Sequence, residues 1–255
     1  MLAADSRVTL TAQVPGQNLL IPATYDNATK LLRVANQDYV GVVTYGLGAI
    51  GQQQPRTAHS FIPEFESELK KEKRLPVETF AKKLSGFFVQ QWNASMPKDH
   101  KGPDMVFLVG GYDEGAPYGR VFEFSIPTRP TPKEWHAGQG EFGIVWGGQR
   151  EFADRVMQGF DDSLPQIVQQ FLKLSDQQRD ELRAYLKNHL GARIPYAFLP
   201  LQDCVDLAIF ILRTTIAIQG WWVDVRGVGG AIDVATITRT NGFQPIQQKT
   251  ILGER

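Results

Sequence analysis

A mixed α and β fold is what the periodicity of this chain predicts, and three observations carry that prediction. Short runs near the start, in the middle and close to the end are alternating or continuously apolar, as strands are. Between about residues 55 and 95 the apolar spacing changes to three and four, the period of a helix face. A second helical block then separates the middle strands from the last one.

Met1-Leu2-Ala3-Ala4-Asp5-Ser6-Arg7 is strand chemistry ending in a polar corner, after which apolar and polar residues alternate. Pro15-Gly16-Gln17-Asn18 is a turn signal. Residues 22–27 read as a loop before a strand that begins near Lys30, and residues 39–48 as a second apolar strand ending in Gly46-Leu47-Gly48. Phe61, Phe65 and Leu69, with Ile62 beside them, mark a first helix whose Glu64, Glu68, Lys71 and Lys73 face outward. Pro76 suits a helix start and introduces a second, with Val77, Phe80, Ala81, Leu84, Phe88 and Trp92 on its inner face. Two such helices suit a layer covering a sheet.

Residues 104–112 form a buried-type strand, residues 119–127 its hairpin partner, and residues 142–148 a short apolar strand ending in glycines. A helix follows from about residue 150 to 158. Residues 160–199 read as an inserted pair of helices: Ser175 with Gln178 three places on is a capping box, and Gly191 closes the helix that carries Leu182, Tyr185, Leu186 and Leu190. The last helix aligns Leu201, Cys204, Val205, Ala208, Ile211, Leu212 and Thr215 on one stripe, with Trp221-Trp222 buried at its exit or, alternatively, exposed at a subunit contact. Residues 227–237 lead from glycines into a late strand, and residues 244–255 are compatible with a strand, a docking tail or disorder.

With 255 residues, the chain reads as a single domain over residues 1–255. Its 27 basic and 27 acidic residues cancel, which leaves no electrostatic reason to expect nucleic acid or an anionic membrane as partner. Cys204 is the single cysteine, which rules out an internal disulfide framework and fits a reducing, cytoplasmic compartment. The start lacks a basic and then apolar leader pattern. The longest apolar stretch, residues 205–222, is interrupted by Asp206, Arg213 and Gln219, so it reads as a core helix.

The early string Leu2-Ala3-Ala4-Asp5-Ser6-Arg7, the strand start at Lys30, the glycine turn at 46–48 and the late Gly229-Gly230-Ala231-Ile232-Asp233-Val234 together resemble a proteasome β-type subunit, a bacterial-type member of the N-terminal-nucleophile hydrolases. The resemblance covers most of the chain outside residues 160–199. It implies an α+β fold, specifically a four-layer αββα sandwich of two mostly antiparallel sheets between helix layers, with residues 160–199 as a helical insertion. It also implies a homo-oligomer, with a ring as one form.

In that family a free α-amino group serves as base beside a terminal hydroxyl, since its pKa lies near 8. A lysine favours the alkoxide, an aspartate holds the lysine charged, and glycine-turn N–H groups stabilise the oxyanion. The matching positions are Asp5 for the acid, Lys30 for the lysine and Gly46, Leu47 and Gly48 for the turn. The family's threonine nucleophile belongs about a dozen residues ahead of the Asp5 motif, and the 255 residues hold nothing there. Supporting positions also differ. Trp146-Gly147-Gly148 stands in place of the family's Gly-Ser-Gly, and Val225 and Val228 replace its supporting Asp and Ser, with Asp224 one place away. The expectation is therefore a remnant site on a non-catalytic, self-assembling or scaffold protein. The alternative is a threonine-type peptidase whose start is misassigned and whose first strand, with its Thr, lies upstream. A third reading, a non-peptidase amidohydrolase, would need a terminal Ser or Cys.

The bland readings of the same residues are concrete. Asp5 in a corner can simply accept hydrogen bonds from turn amides, and a buried Asp5–Lys30 pair can be kept for structure because breaking it from one side costs about 3–5 kcal/mol. Cys204 reads as a core residue. His59, His100, His136 and His189 lack metal-ligand spacing, so no metal and no cofactor is expected. Gly110-Gly111 and Gly229-Gly230 read as tight turns and not as phosphate loops. A peptide or protein substrate is expected only under the peptidase alternative.

Overall fold

The computed structural model describes residues 1–13, 20–52, 54–136, 141–223 and 226–250. The turn expected at Pro15-Gly16-Gln17-Asn18 and the positions Asp224 and Val225 lie outside the described residues. With 38% helix and 24% strand in several antiparallel sheets, the fold is α+β.

Five strands form the larger sheet: β4 (Leu31–Leu32), β5 (Val40–Gly46), β6 (Met105–Gly111), β7 (Arg120–Ile126) and β8 (Arg129–Trp135), in chain order across the sheet. The expected strands at 39–48, 104–112 and 119–127 are β5, β6 and β7, trimmed by one or two residues at their ends. One sheet face is covered by α1 (Ile62–Glu68) and α2 (Val77–Ser95). Phe61, just ahead of α1, and Phe65, Phe80, Phe87 and Phe88 from the helices meet Phe107 and Phe124 from the strands, all buried. Their rings pack largely edge to face or tilted, so the fixed geometry adds to the area they remove from water.

The opposite face of this sheet, through Leu31, Val43 and Leu108, packs on Leu2, Ala4, Ala235, Ile237 and Phe243. Those five belong to a three-stranded sheet in the order β1 (Leu2–Asp5), β9 (Ile232–Thr238), β10 (Gly242–Gln247). Its outer face carries α6 (Leu201–Trp221), whose Val205 packs with Ile232 and Val234. α3 (Glu151–Gln158) joins α6 through Ala153, Met157 and Ile211. β2 (Val8–Gln13) and β3 (Leu20–Tyr25) form a separate hairpin.

The two helices expected within residues 160–199 are α4 (Ser163–Leu172) and α5 (Asp176–Leu190). The capping box forms as expected: Ser175 accepts from the Gln178 backbone while the Gln178 side chain accepts from the Ser175 backbone. α5 buries none of its residues and α4 buries only Pro165.

Four expectations are corrected. Residues 22–27 are not a loop, because β3 runs through Tyr25 against β2. Residues 142–148 carry strand chemistry but have no strand partner. Trp221 and Trp222 are not buried at the helix exit; they are exposed, Trp221 by 85%. Cys204 is half-buried and not a core residue, because it faces a cavity beside β1. In addition, the proline-bearing β8 was not legible as a strand. It is an edge strand, where a missing N–H costs no ladder bond.

Candidate functional site

Asp5 closes β1, and the chain turns there because its carboxylate gathers donors from three places. Lys30 Nζ donates to Oδ1 at 2.7 Å, while the backbone N–H groups of Arg7 and Gly229 donate to Oδ2 at 3.0 Å each. Both readings of Asp5 therefore hold together: it accepts from a turn amide and it pairs with Lys30. The pair is largely shielded, with side-chain exposures of 16% for Lys30 and 10% for Asp5. Lys30 stands immediately before β4, and its carbonyl accepts from Thr44 N at 3.0 Å, which ties it to β5.

A cavity of about 480 Å³ opens at this pair. Its walls bring together all five expected site residues, Asp5, Lys30, Gly46, Leu47 and Gly48, along with Trp146, Gly147, Gly148 and Val228. The sequence-distant positions matched to one site are thus neighbours around one cavity. One part of the expected chemistry is occupied, however: Leu47 N–H donates to Asp104 O at 2.9 Å, so it already has a partner.

Several supporting residues carried no sequence signal. Arg7 grips Asp26 with two bonds, at 2.5 and 2.8 Å. That pair raises the arginine's pKa and holds the Asp26 carboxyl below the usual range. The guanidinium lies against Gly229: a Cβ there would sit 2.4 Å from Arg7 Cζ, so a larger residue would have to displace the Arg7 side chain from its place beside the loop that donates to Asp5. The preceding residue, Val228, donates its backbone N–H to Gln219 Oε1 at 2.9 Å, while Gln219 donates to Gln149 Oε1. Two amide side chains thus brace the wall at Val228, the position that the family resemblance would give to a hydroxyl. Trp146 is fixed by its indole N–H donating to the buried Asp154 at 2.8 Å. Burial first, and then Glu123, pushes the Tyr45 hydroxyl up to about 12.

What can attack a substrate here? Thr9, Thr29, Thr44, Thr57 and Thr215 line the cavity but are internal residues without a free amine, and the Thr215 hydroxyl already donates to Ile211 O at 3.0 Å. Thr9 and Thr44 Oγ1 are buried with no hydrogen-bond partner. The α-amino group of Met1 has its pKa lowered by desolvation. It stands at the other end of β1, about 13 Å of extended chain from Asp5, and is not the base beside Lys30. Among the described residues no cluster of His, Cys, Asp and Glu could hold a metal ion. None of the described helices is long and apolar enough to cross a membrane. Neither a scan against protein-family models nor a search of curated proteins gives a match for the chain.

Proposed function

We propose that the chain is a proteasome-like member of the N-terminal-nucleophile hydrolase group, and that its 255 residues by themselves act as a self-assembling or scaffold domain without peptidase activity. The observation that carries this reading is the shielded Asp5–Lys30 pair at the floor of a cavity shared with Gly46, Leu47 and Gly48. A lysine held by a carboxylate beside a glycine turn is the charge arrangement that an amide hydrolase needs around its nucleophile. The succession of α1 and α2, the five-stranded sheet, the three-stranded sheet and then α6 with α3 supports a four-layer αββα sandwich, with α4 and α5 as its helical insertion. Exposed Phe171, Phe198 and Trp221 support self-association as a homo-oligomer, a ring included. A single cysteine and a balanced charge fit a cytoplasmic setting without nucleic acid.

A second reading is favoured by the cavity itself, which leaves room beside Lys30 for an attacking group. In that reading the protein is a threonine-type peptidase whose hydroxyl-bearing amino terminus is brought against Lys30 on a strand outside these 255 residues. One experiment separates the two. The protein is purified from its native host, its amino terminus is sequenced, and it is treated with an electrophilic peptide probe. A terminus at Met1 with no labelling supports the scaffold. Labelling of a terminal threonine that is lost in Lys30→Ala establishes the peptidase and overturns the scaffold.

A further inference from the structure

We infer that the outer face of α6 is the contact for a second copy of this chain, laid antiparallel across a two-fold axis at Phe210. The inference rests on the self-assembly reading above and gives it a contact. One face of α6 is spent on its own chain: Val205 packs on the three-stranded sheet, and Ala208, Ile211, Thr215 and Gln219 are buried with it. The opposite face is open. Gln202, Asp206, Phe210, Arg213, Ala217 and Trp221 are all exposed, at the three- and four-residue spacing of one helix stripe. A Cβ on Gly220, beside this stripe, would meet nothing within 4 Å.

Single exposed apolar residues are ordinary; the order of this stripe is not. Read from either end it complements itself. Phe210 stands at the centre, with Asp206 one turn before it and Arg213 one turn after it. Further out Gln202 corresponds to Ala217, and Phe198, just ahead of the helix, corresponds to Trp221. A two-fold contact brings residue i of one copy to residue j of the other, and j to i. Antiparallel helices crossing at Phe210 therefore set each Asp206 opposite the other copy's Arg213, with the two Phe210 rings between these pairs. Phe198 and Trp221, 84% and 85% exposed, come together at both ends. A parallel arrangement would set Asp206 against Asp206 and Arg213 against Arg213.

Charge favours a second copy over a foreign partner. Among the described residues Asp206 accepts from the Gln202 amide at 3.0 Å, so its charge is still open to a cation. The 27 basic and 27 acidic residues of the chain cancel, and no long-range field draws a charged stranger to it or repels its own copy. Area sets the strength. At roughly 150–250 Å² for a whole aromatic side chain, Phe198, Phe210 and Trp221 offer on the order of 400 Å² on each copy, about half of the ~800 Å² per partner in a standard interface. The 21 residues of α6 run for about 30 Å, so the rest of its length adds to that area, and the dimer is expected to be of micromolar strength.

The test uses the full chain at low salt. In sedimentation the unaltered protein is expected to pass from monomer to dimer between about 1 and 200 µM. Asp206→Arg and Arg213→Asp, both at exposed positions, each set like charges opposite one another and are expected to weaken dimerisation about fivefold or more. An equimolar mixture of the two variants restores opposite charges at both contacts. It is expected to recover the unaltered affinity, which an effect on folding could not do. In a Cys204→Ala background, Phe210→Cys should crosslink to its own copy through a short bis-maleimide, while Gln202→Cys should crosslink only when mixed with Ala217→Cys. A monomer throughout the range overturns the contact together with the self-assembly reading. An assembly that neither charge reversal weakens, a mixture that does not recover, or a Phe210→Cys chain that does not crosslink overturns the contact and leaves self-assembly to another surface.

Discussion

Gly46 and Asp104 are pressed together where β5 ends. Gly46 has φ +83°, and a Cβ on it would lie 2.2 Å from Asp104 O, the same carbonyl that accepts from Leu47 N–H. Gly46→Ala is expected to cost about 2–4 kcal/mol, from the left-handed backbone and the clash together. Urea unfolding measures it; a loss below 0.5 kcal/mol would mean that the turn relaxes freely.

The Asp5–Lys30 pair should respond unequally to loss of its two members. Asp5→Ala strands a shielded ammonium and leaves two backbone donors unpaired, at an expected cost of about 3–5 kcal/mol. Lys30→Met leaves Asp5 with the N–H groups of Arg7 and Gly229 and should cost less, about 1–3 kcal/mol. Equal losses in chemical denaturation would show that the two N–H bonds contribute nothing.

Asp161 sets an acid limit on the start of α4. The Ser163 hydroxyl, then its backbone N–H, then Arg155 hold this buried carboxyl below the usual range. A depressed carboxylate contributes stability that is present above its unfolded value, about 3.9, and is lost as the pH falls through the lower folded value. The protection of α4 amides, taken relative to the intrinsic exchange rate at each pH, is expected to fall as the pH drops below about 4. In Asp161→Asn that acid loss of protection should vanish, because protection is already reduced near neutrality.

Phe171 and Phe198 are more than four-fifths exposed. The double substitution Phe171→Asp and Phe198→Asp should leave the melting temperature within about 2 °C, as surface changes away from caps and core usually do. If the insertion mediates self-association, light scattering should shift toward monomer. An unchanged assembly would move the contact elsewhere.

Much of the core was legible because packing imposes a strict period. Val77, Phe80, Ala81, Leu84, Phe88 and Trp92 keep helix spacing and are all buried, and β5, β6 and β7 keep strand composition. Asp5, Lys30 and Gly46-Leu47-Gly48 could be brought together only through a resemblance, since they are far apart in sequence and meet through tertiary packing. Gln219 and Gln149 were not legible at all: an amide on a helix or in a bend reads as solvent-facing until its partner on another element is known. Residues 142–148 misled for the opposite reason. Composition favours a strand, but a strand exists only with a neighbour to bond, and none of the described strands supplies one.

The fifteen residues of α5 hide no side chain, yet the helix is capped at its start and tethered by Ala192 N donating to Met157 O just past its end. Such a rod tolerates rewriting on every side without the interior registering the change. Chains descended from a common ancestor would therefore diverge fastest there. A comparison of such chains by overall identity would then count that helix as heavily as the buried strands.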